Sequence, residues 1–237
     1  MELVSGVDLH FITSKKFKTN RIKMRFSAPM STDTIAGRVL VASMLETANE
    51  AYPTSQIFRE RLATLYGANF STGLSRRGLI HYVDLNISFV SDAFLSRKNT
   101  LTGEILDFLK DSLLKPLANE GAFNQAVFEI EKTNVLNDLK AESEDHFYHA
   151  HQELNKLFYT EKEMQTSRLA TPDLVDKETP ESSFAIFQKM LQNDKIDIFF
   201  MGDFNEIEVC EYMKTFGLQP RQLSLQLHYH QEFSNIL

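Results

Sequence analysis

Two kinds of apolar periodicity alternate along the chain. Alternation with period two predicts strands, at about residues 7–12, 21–26, 69–74, 79–90 and 196–201. Spacing of three or four predicts helices, at about residues 31–49, 53–67, 101–114, 123–158 with an internal break, 182–191 and 205–215. The polar stretch Ser75-Arg76-Arg77-Gly78 between two of the strands predicts a hairpin turn.

The order of these elements favours one architecture. Strands open the chain, helices and a hairpin follow, and a strand and a helix close it, which predicts an α+β fold with helices packed on a sheet of about four or five strands. Nothing marks an internal boundary, so residues 1–217 are predicted to form one domain. Residues 218–237, with Pro220 and alternating leucines, are predicted to be a linker.

Composition excludes several classes of protein. The chain has 237 residues, a net charge of −7 and 43% hydrophobic residues, enough for a sizeable core. The acidic balance argues against nucleic-acid binding, which needs clustered cations. No apolar run could span a membrane, and residues 1–8 lack the pattern of a signal peptide. The sequence therefore predicts a cytoplasmic protein without a membrane or nucleic-acid partner.

Candidate reactive side chains are few. Cys210 is the single cysteine, and we interpret it as an inert buried thiol on a helix. His146 and His149 are three residues apart and could form a weak divalent-metal site, although a solvated helix face is the favoured interpretation. The same alternatives apply to His228 and His230, which have strand spacing.

Short stretches along the chain carry a family resemblance. They are Ala28-Pro29, Tyr52-Pro53, Leu65-Tyr66-Gly67-Ala68, Leu114-Lys115-Pro116 and Ile196 to Asp203. Their order and spacing resemble the N-terminal domain of the insulinase-like M16 metallopeptidase family, from about residue 7 to residue 218. The resemblance implies a two-layer M16 peptidase-like domain (the LuxS/MPP-like metallohydrolase fold), with a mixed, mostly antiparallel sheet and helices on one face.

The zinc motif of the active family members is replaced. Those members carry H-x-x-E-H on the first long helix, and the motif positions fall here on Val39, Ala42 and Ser43, with Asp138 and Glu131 at the distal acidic positions. Val and Ala offer no lone pair, and a neutral Ser hydroxyl is a poor zinc ligand. The resemblance therefore implies a chain without zinc, without catalytic residues and without peptidase activity.

The resemblance also implies a peptide-binding edge strand. In the family, substrate peptide adds to a sheet edge. That edge falls here on five residues: Ser71, Thr72, Gly73, Leu74 and Ser75. An ordinary hairpin strand is the alternative interpretation.

Three functions remain open at this point. The first is a non-catalytic subunit of a bacterial heterodimer, which encloses peptides together with an active H-x-x-E-H paralog and a second M16-like domain of its own protein. The second is a stand-alone scaffold that assists protein modification, of the kind associated with lysine modification of elongation factor P. The third is an active enzyme with a metal site relocated to the cluster from Asp145 to His151.

Overall fold

The computed structural model describes residues 1–96, 100–222 and 225. Eight strands lie in this part of the chain: β1 (Glu2–Val4), β2 (Val7–Thr13), β3 (Thr19–Pro29), β4 (Asn69–Arg77), β5 (Ile80–Val90), β6 (Ala118–Asn119), β7 (Ala122–Phe123) and β8 (Lys195–Gly202). Its helices are α1 (Ile35–Thr47), α2 (Ser55–Thr64), α3 (Leu101–Leu114), α4 (Gln125–Glu144), α5 (His146–Phe158), α6 (Lys162–Gln165), α7 (Pro172–Asp176), α8 (Pro180–Asn193) and α9 (Glu206–Lys214).

Six strands form one mixed sheet in the order β1-β2-β8-β3-β5-β4. Strands β2 and β8 are parallel, and every other neighbouring pair in this sheet is antiparallel. The predicted α+β class and mixed, mostly antiparallel sheet are confirmed. The predicted count of four or five strands was too low, because the three residues of β1 are too few to show a period.

One face of the sheet is buried under the helices. Ile22, Met24 and Phe26 on β3 are fully buried, as are Ile196 and Ile198 on β8, and all belong to the core that the helices complete. The residues that alternate with them lie on the other face. For β3, the alternation in the sequence therefore indicated correctly which residues are buried.

Basic side chains on the other face of β3 form ion pairs with Asp84 on β5. Arg25 donates from Nε and Nη2 to the two carboxylate oxygens of Asp84, at 2.7 and 2.8 Å. Lys23 Nζ lies 2.7 Å from Asp84 Oδ2. Burial alone raises the pKa of Asp84, but these cations outweigh it and hold the pKa below its ordinary value. Lys23 and Arg25 on β3 thus have a structural partner, Asp84, on β5.

The predicted hairpin turn was placed too early. Strand β4 continues through Arg77, which pairs with Ile80, so the turn consists of Gly78 and Leu79. Gly78 has φ +57°, a value that glycine adopts readily in tight hairpin turns. Polar residues 75–77 therefore belong to the strand.

Two helix boundaries have different causes: a backbone turn precedes α1, and a side chain caps α5. Helix α1 begins at Ile35, later than the predicted Ser31, because residues 31–34 form a turn first. The predicted break in the long helix lies at Asp145. Its carboxylate accepts hydrogen bonds from the amides of Phe147 and Tyr148 and so caps α5.

The start of the predicted linker lies on the domain. Leu218 and Arg221 are buried. The Arg221 amide donates to the carbonyl of Ser5 at 2.8 Å, and its guanidinium donates to the carbonyl of Leu191 at 2.7 Å.

Among the described residues, none of the helices is both long and apolar enough to cross a membrane.

Candidate functional site

Helix α1 carries the three positions where the zinc motif would stand. Val39 and Ala42 are 3% and 2% exposed and belong to the core. Ser43 is half-buried and lines a groove between α1, the start of α2 and α4. Two of the three positions are therefore sealed inside apolar packing, out of reach of a ligand.

The groove has a volume of about 590 Å³ and contains both apolar and charged side chains. Glu131 on α4 accepts a hydrogen bond from Thr47 Oγ1 on α1 at 3.0 Å. Asp138, two turns further along α4, is exposed. Of the two acidic positions named from the sequence, the structure therefore brings only Glu131 to the groove.

These side chains do not fit a zinc ion. Zinc in peptidases takes three protein ligands of nitrogen or carboxylate type and a water. The motif positions supply one neutral hydroxyl, from Ser43, and Glu131 is hydrogen-bonded to Thr47. Within the described ranges, no group of three or more His, Cys, Asp or Glu side chains is arranged to hold a metal ion. The absence of bound zinc stays a prediction.

Strand β4 lies at the edge of the sheet, next to α1. In the described part of the chain, β4 is hydrogen-bonded to β5 on one side, and no strand pairs with β4 on its other side. The five predicted residues, Ser71 to Ser75, lie in the middle of β4 and are half-buried. The edge position was thus predicted correctly, while peptide binding there is untested.

An acidic side chain from α1 contacts this edge. The Thr72 amide donates to Glu46 Oε2 at 2.8 Å, and the Thr72 hydroxyl donates to the same oxygen at 2.8 Å. Arg59 Nη2 on α2 lies 3.7 Å from Glu46 Oε1. The sequence analysis missed Glu46 and Arg59, because neither belongs to a motif and their contacts join separate elements.

The far end of β4 is covered. The Arg76 guanidinium donates to the carbonyl oxygens of Glu163, Met164 and Thr166, at 3.2, 3.3 and 2.6 Å. Burial lowers the pKa of Arg76 from its ordinary value. One end of β4 is therefore bonded to the 163–166 segment through Arg76, whereas Thr72 contacts α1 through Glu46.

The other candidate residues lie away from the groove. His146, His149 and His151 are exposed on α5. Cys210 is partly exposed rather than buried as predicted, and its Sγ lies 4.0 Å from Met1 Sδ. Burial, with the Glu206 carboxylate nearby, still raises the pKa of its thiol. His228 and His230 lie outside the described residues.

Comparison with known proteins agrees with this architecture. No family model matches the chain. It is 23% identical over 221 residues, 93% of its length, to the "Probable inactive metalloprotease YmfF" of Bacillus subtilis strain 168. A crystal structure of a conserved protein from Enterococcus faecalis V583 matches all of the chain, with 34% identity and a TM-score of 0.96.

A third match names the fold. The peptidase M16 inactive domain from Pseudomonas fluorescens matches 94% of the chain, with a TM-score of 0.71 and 14% identity. The chain covers 52% of the Bacillus relative, 56% of the Enterococcus chain and 52% of the Pseudomonas chain, so it spans about half the length of each. The M16-like fold inferred from the sequence is confirmed, and the matched proteins include one named a probable inactive metalloprotease and one named an M16 inactive domain.

Proposed function

We propose that this chain is a non-catalytic M16-like domain that forms half of a peptide-enclosing chamber with an active zinc-dependent paralog. One observation carries the proposal: the edge strand β4 lies beside a helix whose motif positions hold Val39, Ala42 and Ser43. The edge offers a peptide-binding surface, while the three replacements remove zinc ligands and general base together.

Peptide would bind by strand addition. An edge strand presents unpaired backbone amides and carbonyls on the side away from its neighbour, and an extended peptide can bond to them. Backbone bonding alternates along an antiparallel pair. Because the Thr72 amide points outward and meets Glu46 rather than β5, we propose that the backbone groups of Thr72 and Leu74 are those that face a bound peptide.

The partners follow from the length of the relatives. Because the chain spans about half of each similar protein, we propose that a second M16-like domain of the same protein completes its half of the chamber. The active paralog would supply zinc and the general base to the shared chamber. We further propose that the pair works in the cytoplasm.

The test is affinity purification of the tagged full-length protein from its own cells, followed by mass spectrometry. The proposal predicts a co-purifying H-x-x-E-H paralog in near-equal amount. Recovery of the protein without such a paralog contradicts the paired function. Enrichment of a translation factor or a lysine-modifying enzyme instead would support the stand-alone scaffold.

A further inference from the structure

Glu46 occupies the edge of β4 where a peptide would bind. Its Oε2 atom is 2.8 Å from the Thr72 amide nitrogen and 2.8 Å from the Thr72 hydroxyl oxygen. Both donors therefore meet one carboxylate oxygen. Hydrogen bonds to an ionised acceptor are stronger than those between neutral groups, so this contact competes well with water.

A peptide strand added to β4 would compete with the Glu46 carboxylate for the Thr72 amide hydrogen. A strand that adds to β4 brings a carbonyl oxygen to roughly 2.9 Å from the Thr72 amide nitrogen, the ordinary length of such a bond. Glu46 Oε2 already stands at that distance. One amide hydrogen directed at the carboxylate cannot also serve a peptide carbonyl, so Glu46 must leave before the strand can pair at this position.

A second partner for the Glu46 carboxylate, the Arg59 guanidinium, lies nearby. Its side chain is 30% exposed, and Arg59 on α2 is 57% exposed, with Nη2 3.7 Å from Glu46 Oε1. At that separation the two groups attract each other without a close hydrogen bond. A rotation of Glu46 toward Arg59 would shorten this pair and release the Thr72 amide.

We propose that Glu46 is a latch on the edge strand, which holds the peptide-binding edge closed until it swings to Arg59. The inference rests on the proposed peptide-binding function and adds its control. The closed latch lowers the affinity for any extended peptide and prevents edge-to-edge pairing with unrelated strands. An arriving peptide must offer enough contacts elsewhere along β4 to displace the carboxylate.

The test measures peptide affinity of the full-length protein by fluorescence anisotropy. The probe is a fluorescein-labelled extended peptide of about eight alternating Val and Thr residues, long enough to span an edge strand. Glu46→Ala is expected to bind it about tenfold or more tighter than the unmodified protein, because the competing charged acceptor is gone. Thr72→Val, which removes one of the two latch bonds, should tighten binding less.

The matched control is Glu60→Ala, which removes an exposed carboxylate from α2 whose hydrogen bond is to Gln56. It should bind like the unmodified protein. Equal affinity in all proteins, or weaker binding by Glu46→Ala with an unchanged melting temperature, overturns the latch but leaves peptide binding intact. Failure of every protein to bind the probe, Glu46→Ala included, overturns both the latch and the proposed function.

Discussion

At the scale of single residues, a buried cation is held next to a neutral histidine. Arg38 on α1 is 3% exposed, donates from Nε to His81 Nδ1 at 3.1 Å and lies 2.7 Å from Asp194 Oδ2. His81 Nε2 lies 3.0 Å from the carbonyl of Arg168 and donates to it. Burial, and next the charge of Arg38, lower the pKa of His81 to about 3. No pattern in the sequence singled out these residues, because their partners come from separate elements.

His81 should make the stability depend on pH. The unfolded chain takes up this proton near its ordinary pKa of about 6.5, whereas the folded protein does so only near 3. The stability that neutral His81 contributes is therefore complete above about pH 6.5 and is lost as the pH falls. Between pH 7 and pH 5 the unmodified protein should lose about 2 kcal/mol of unfolding free energy through this group.

Urea unfolding at both pH values measures the effect. His81→Gln should lack this loss, because glutamine does not titrate. His149→Gln, at an exposed position on α5, should retain it. An identical pH dependence in His81→Gln and the unmodified protein would contradict the account of this buried group.

At the scale of elements, periodicity predicted the longer helices and strands, while it placed some of their ends wrongly and carried no information on the order of strands in the sheet. The predicted helix at 101–114 has the bounds of α3, Leu101–Leu114. The hairpin turn was misplaced because residues 75–77, although polar, pair with β5. The Arg76 side chain is also held, by the carbonyls of Glu163, Met164 and Thr166. The insertion of β8 between β2 and β3 joins residues far apart in the chain, which local patterns cannot reveal.

The end of β8 depends on a glycine. Gly202 has φ +134°, and a Cβ there would lie 2.2 Å from Asn20 Oδ1. Asn20 cannot easily move, because its side chain bonds to both the amide and the carbonyl of Asp203, at 2.9 and 3.0 Å. Gly202→Ala is expected to lower the unfolding free energy by roughly 2 kcal/mol or more, through backbone strain and the displaced Asn20.

Chemical denaturation compares this variant with Gly103→Ala. Gly103 lies on α3 with open space around a new Cβ, so alanine should stabilise the helix, by about 1 kcal/mol at most. Opposite signs for the two variants support the account. Equal stability of Gly202→Ala and the unmodified protein would show that the turn is not constrained by Asn20.

At the scale of the whole molecule, the described residues carry the M16-like fold, while the positions assigned to the zinc motif hold Val39, Ala42 and Ser43. The fold and the edge position of Ser71 to Ser75 could be predicted from the sequence by resemblance. Glu46 could not, because its role depends on the packing of α1 against β4. Under the proposed function, a domain with these replacements and an edge strand holds peptide rather than cleaving it.

The full-length protein should bind no zinc of its own. Purified in the presence of zinc and then desalted, it should retain well below one zinc per chain by elemental analysis and cleave no peptide, because Val39, Ala42 and Ser43 offer no adequate ligand set. Zinc at one per chain would contradict this expectation. Loss of such zinc and activity in His146→Ala and His149→Ala would assign it to the cluster at the start of α5.

The most direct test of the central claim is hydrogen–deuterium exchange of the full-length protein, with and without a saturating extended peptide. The account predicts that the peptide slows exchange of the outward-facing amides of β4, above all Leu74, because the Thr72 amide is already bonded to Glu46 in the free protein, while the opposite edge strand β1 is unchanged. Protection at β1 or on α5, with β4 unaffected, would contradict peptide binding at this edge and with it the proposed function.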